Sequence, residues 1–92
     1  MNDLISLKLR RKIDNYKKSG GKRSRRANAQ RIERFIRWCG CPGEEIGRKH
    51  VHLFFTEKQF SATTDRDYFY SICKLWQMLD RNKEPPRPPS MR

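Results

Sequence analysis

The stretch "RRANAQRIERFIRWC", residues 25–39, decides the fold. Ile32, Phe35, Ile36 and Cys39 recur at i, i+3, i+4 and i+7, which in an α-helix lines up one side of the cylinder. Arg31, Arg34 and Arg37 fall largely off that stripe. Ser24 is placed to cap such a helix, while Gly40 and Pro42 stop it. One amphipathic helix with a clean apolar side needs other apolar sides to cover it.

The flanking sequence supplies them. Upstream, "LISLKLRRKIDNYKK" (4–18) carries Ile5, Leu9, Ile13 and Tyr16 at three- and four-residue intervals, with Asp3 as its cap. Gly20 and Gly21 end it, and Lys17 and Lys18 complement the negative end of the helix dipole. Downstream, the second half of "PGEEIGRKHVHLFFTEKQ" (42–59) suits a short helix with Val51, Phe54 and Phe55 inward and Ile46 packing from the preceding turn. Ser61 then caps a long fourth helix, "ATTDRDYFYSICKLWQMLDRN" (62–82). Its apolar stripe is Phe69, Ile72, Leu75, Trp76 and Leu79, flanked by Tyr68, with Asp65 and Asp67 at the end that favours negative charge. "EPPRPPSMR" (84–92) reads as an extended, polyproline-like tail lying off the core. No strand pattern and no repeat interrupts this order. The expected fold class is all-α: a small bundle of four to five helices. A basic N-terminal helix or arm spans 1–23, a helical domain 24–82 and a Pro-rich extended tail 83–92.

At 92 residues the chain is one small domain. It carries 22 Lys and Arg against 10 Asp and Glu, a formal net charge of +12. Residues 1–31 hold eleven of the cations and only Asp3 and Asp14, a net of +9. Such a density draws a polyanion by Coulomb steering and counterion release, and nucleic acid is the polyanion to expect. An apolar run approaching the roughly 20 residues that span a bilayer is missing, as is a secretory signal at the N-terminus. Three cysteines cannot all pair within one chain, which fits a reducing compartment. The expected location is the cytoplasm, on the nucleoid, with no membrane partner.

Within the basic stretch, Lys22, Arg23, Arg25 and Arg26 cluster at the start of the second helix, where guanidinium groups and free helix-start amides together suit phosphate. Arg31 and Arg34 continue the series along the same helix. On the fourth helix, Thr63 and Thr64 open the N-terminus, and Arg66 and Lys74 lie off the apolar stripe, an arrangement suited to a DNA groove. A solvated charge run is the plain alternative for each set. Cys39, Cys41, His50 and His52 add up to four zinc-type ligands, yet residues two apart on a helix point about 200° apart, so both histidines cannot reach one metal. Cys39 also completes an apolar stripe, where a thiol acts as a small hydrophobe. No metal site and no cofactor is expected. Tyr68 and Tyr70 lack activating partners, and neither a Gly-rich phosphate loop nor a carboxylate pair is present, so no catalytic site is expected.

Taken in order, "RRANAQRIERFIRWC", "PGEEIGRKHVHLFF", "FSATTDRDYFYSICKLWQML" and "RNKEPPRPP" resemble the N-terminal core-binding domain of tyrosine recombinases of the phage integrase type, over roughly residues 24–89. Phe35 and Trp38 match that family's arginine-flanked aromatic pair. Val51, Phe54 and Phe55 match its short-helix core, Ser61 and Thr64 its helix start, and Leu75, Trp76 and Leu79 its helix end. The resemblance implies a small SAM-like helical bundle that forms one jaw of a clamp on duplex DNA, with the second-helix arginines and Arg66 in contact. The family's catalytic domain has no counterpart in these 92 residues, so the resemblance implies duplex binding and not strand cleavage. The expected role is a transcriptional regulator or an accessory factor of a mobile element. Its partners would be double-stranded DNA, a second copy of the chain, a recombinase or the transcription machinery. RNA binding, or a protein-interaction module partnering a recombinase, are the alternatives.

Overall fold

Ser6, three residues later than the expected Asp3, starts the first helix. Its Oγ accepts from the Leu9 amide at 3.2 Å and also donates to the Glu44 carboxylate. The computed structural model describes residues 4–19 and 23–91, so Asp3, Gly20, Gly21 and Lys22 lie outside the described residues. Four α-helices follow one another: α1 (Leu7–Lys18), α2 (Arg23–Cys39), α3 (Arg48–Lys58) and α4 (Ala62–Met78). Single 3-10 turns at Gly43–Glu45 and Pro89–Met91 complete the order, and no strand occurs among the described residues. The all-α bundle expected from the spacing is therefore the observed architecture. Ser24 lies inside α2 rather than capping it.

α4 starts where its sequence says, with Ser61 Oγ accepting from the Thr64 amide at 3.3 Å. It ends four residues sooner than the 62–82 expectation allows. Asp80 takes a left-handed backbone (φ 58°), and the Arg81 amide turns back to the Trp76 carbonyl at 3.1 Å. α3 closes similarly, through Gln59 at φ 48°.

The core is continuous from α1 to the tail. Ile32, Phe35 and Ile36 of α2, Val51, Phe54 and Phe55 of α3, and Tyr68, Phe69, Ile72, Leu75 and Trp76 of α4 are all buried. Phe54 sits at the centre of an aromatic cluster. Phe35, Trp38, Phe60 and Tyr68 meet it edge to face, with centroids 5.0, 5.2, 5.6 and 5.1 Å away. Phe60, in the link between α3 and α4, stacks flat on Tyr68.

One expectation about the ends is resolved and another needs correction. Ile5, Leu9 and Ile13 belong to the same buried cluster as α2–α4, so the first helix packs against the bundle. Gly43 makes this docking close: a Cβ there would stand 2.5 Å from Leu9 Cδ2. The tail is extended but it packs. Pro85 and Pro88 are buried, and Met91 lies against the core. Ser90 Oγ donates to Asp65 Oδ2 at 2.8 Å, Arg48 donates to the Glu84 carbonyl at 3.0 Å, and the Arg87 guanidinium lies over Phe69. Proline rings are apolar and already restricted in φ, so laying them on a helix face costs little chain entropy.

Phe54→Ala should cost about 3–5 kcal/mol in urea unfolding, because it empties a site shared by three helices. Its neighbour Leu53, 52% exposed, should tolerate the same change within about 0.5 kcal/mol. Ending the chain after Glu84 should lower stability by about 1–3 kcal/mol through loss of the buried prolines.

Candidate nucleic-acid interface

α2 and α4 lie side by side and antiparallel, and two sets of contacts fix the register. Asn28 Oδ1 accepts from Ser71 Oγ at 2.9 Å, and Arg31 sits 3.7 Å from the Asp67 carboxylate. Asn28 also donates through Nδ2 to Tyr16 Oη at 3.0 Å and accepts from Arg31 at 2.9 Å, so one amide ties α1, α2 and α4 together. Ser71 is completely buried, and its hydroxyl lies between Asn28 Oδ1 and the Asp67 carbonyl, 3.0 Å away on its own helix.

Outside this seam each helix presents a polar stripe. On α2, Arg23, Arg26, Gln30, Arg34 and Arg37 are all exposed. Their steps of 3, 4, 4 and 3 keep them on one side of the helix over about 21 Å. On α4, Thr63, Arg66, Tyr70, Lys74 and Gln77 repeat the same steps. All are exposed except Lys74, which is half-buried, and Tyr70 is an unusually open aromatic at 54%. Arg66 and Lys74 lie one turn to either side of it.

The expected contact residues divide by what they already hold. Arg23, Arg26, Arg34, Arg66 and Lys74 make no ion pair and no side-chain hydrogen bond among the described residues. Arg37 reaches Glu33 only at 4.0 Å, since Glu33 is held closer, at 3.0 Å, by Arg10. Arg25 is engaged: its guanidinium lies over the Tyr16 ring at 5.1 Å and donates to Ser19 Oγ at 3.0 Å. Arg31 is shared between Asn28 and Asp67, and so half-neutralised. Thr64 serves the α4 cap, its Oγ1 3.1 Å from Ser61 Oγ, whereas Thr63 is open. Lys22 lies outside the described residues.

Two grooves gather cations around the end of α1. One, between α1 and α2, is lined by Lys17, Lys18, Arg26 and Gln30 with Asp14. The other joins α1 to the start of α2 and the end of α4 through Lys12, Tyr16, Arg25, Lys74 and Gln77. Arg25 and Lys74, 49 positions apart in sequence, thus share one concavity. Thr63 and Arg66 lie at the far end of α4, about 16 Å from Lys74 along the axis for Thr63. The described candidates are therefore spread along α2 and α4 rather than gathered in a single pocket.

Cys41 and His50 are close, Sγ to Nε2 3.7 Å, while His52 is exposed. Among the described residues, no group of three or more His, Cys, Asp or Glu is arranged to hold a metal ion. No helix among the described residues is long and apolar enough to cross a membrane. Comparison with protein families, with characterised proteins and with solved structures finds no match to this chain.

Asn28→Ala should cost about 1–3 kcal/mol, because it removes the amide that joins Tyr16, Arg31 and Ser71, although the Ser71 hydroxyl keeps the Asp67 carbonyl as an acceptor. Arg34→Glu should leave the unfolding free energy within about 0.5 kcal/mol of wild type, since Arg34 is exposed and makes no ion pair or side-chain hydrogen bond among the described residues. Chemical unfolding followed by circular dichroism reads both.

Proposed function

We propose that this chain binds double-stranded DNA without catalysing a reaction on it, acting as a transcriptional regulator or an accessory factor of a mobile element. One observation carries the reading: two adjacent antiparallel helices each open a full-length polar stripe, and among the described residues the guanidinium groups of Arg23, Arg26, Arg34 and Arg66 make no ion pair. A guanidinium left uncommitted on a rigid helix is pre-organised for phosphate, because no internal pair has to break and little side-chain order has to be bought. The stripes also combine the types that contact DNA: arginine and lysine for phosphate, threonine, glutamine and tyrosine for backbone oxygens and base edges. The motif order resembling the core-binding domain of tyrosine recombinases supports the same reading. The proposed place of action is cellular DNA in the cytoplasm, alone or beside a separately encoded recombinase.

Fluorescence anisotropy on a labelled duplex of about 25 base pairs tests this. If about six phosphates are neutralised, the log–log dependence of affinity on salt should have a slope of about −5. Reversing Arg26 and Arg34 together should reduce affinity at least tenfold and flatten that slope by about 2. Salt-insensitive binding, or equal competition by duplex RNA, would reject the reading.

A further inference from the structure

The turn that links α2 to α3 carries chemistry unrelated to the arginine stripes. Cys39 is the last residue of α2, Gly40 takes φ +70°, and Cys41 follows, partly exposed. Both cysteines are partly buried and pack against the core. A residue in the left-handed helical region spaces its neighbours' Cα atoms about 5.4 Å apart, as its right-handed mirror does. That lies inside the range a disulfide requires. Gly40 supplies this conformation without strain, and its Cβ direction is open.

His50, at the start of α3, makes the two thiols unequal. Its Nδ1 accepts the Gly47 amide hydrogen at 3.0 Å, so the neutral ring carries its proton on Nε2. Nε2 in turn faces Cys41 Sγ at 3.7 Å. The imidazole is thereby fixed as a donor to that sulfur. Cys39 has other surroundings: burial first, and then the neighbouring Cys41, push its thiol up to about 12. Cys73, the third cysteine, is also pushed up, chiefly by burial.

We propose that Cys39 and Cys41 form a dithiol redox site in which Cys41 reacts first with a low-molecular-weight disulfide and Cys39 then closes the ring. In the first step the Cys41 thiolate attacks one sulfur of the disulfide, forming a mixed disulfide and expelling one thiolate, which takes up a proton. In the second, Cys39 loses its proton and attacks Cys41 Sγ, expelling the other half as a second thiol. The protein dithiol is oxidised by two electrons and the small disulfide is reduced to two thiols. Because Cys39 ionises reluctantly, the second step is the slower one, and the mixed disulfide accumulates before it resolves.

Intact-mass and peptide mass spectrometry of the reduced full chain, exposed to oxidised glutathione, tests this. The expected course is one glutathione on Cys41, followed by its loss as a Cys39–Cys41 bridge appears, with Cys73 still free. In Cys39→Ser the adduct on Cys41 should persist. In His50→Gln the first step should slow about fivefold, read beside a melting curve that establishes folding. Cys41→Ser should abolish both steps. Modification of Cys73 ahead of Cys41, an adduct that never resolves, a disulfide between chains, or wild-type rates in His50→Gln would each overturn the proposal.

Discussion

The ring of Phe54 is the point at which three helices are held to one another. It sits on α3, and the rings that meet it edge to face come from α2, from α4 and from the link between α3 and α4. Edge-to-face packing is directional, so each contact fixes an angle as well as a distance. α3 is short, and α2 and α4 are long with 17 residues each. The short helix acts as a wedge beneath the long pair and holds them side by side.

Everything on the outer surface follows from that pairing. With the apolar sides of α2 and α4 turned to the wedge, their polar sides turn away from it, and Asn28 sets how far one helix slides along the other. A slip of one residue would rotate each stripe by about 100° and break the bond from Ser71 to Asn28 that joins the two helices. The polar register and the apolar wedge thus specify the same arrangement. Agreement between levels of this kind is what gives a small chain a single fold.

Much of this was legible in the residues themselves. The stripe of Ile32, Phe35 and Ile36, the inward Val51, Phe54 and Phe55, and the Ser61 cap are local patterns, and local geometry decides them. The starts of α1 and α2 were less legible, because Asp3, Ser6 and Ser24 are all competent caps and neighbouring contacts select among them. The tail was misread for a similar reason. A proline run signals an extended backbone, yet whether that backbone docks depends on an apolar surface contributed by α4 and on partners such as Asp65, 25 positions away. Among the candidate contact residues, exposure of Arg34 and Arg66 could be read from helix phase. The engagement of Arg25 with Tyr16 and of Arg31 with Asp67 could not, since both pairs join different helices. Asn28 gave no signal at all: a lone asparagine in a basic helix looks solvated until its three partners are brought around it.

The α2 stripe also bears on folding itself. Arg23 and Arg26, Arg31 and Arg34, and Arg34 and Arg37 are like-charge pairs three positions apart, each disfavouring the helix by about 0.2–0.5 kcal/mol in dilute buffer. Multivalent anions that shield these pairs relieve that strain, so sulfate or phosphate should protect the fold better than chloride at equal ionic strength. The chain is thereby tuned to an ionic environment: its native state is least secure in salt-free water and gains from any dense array of negative charge laid along α2.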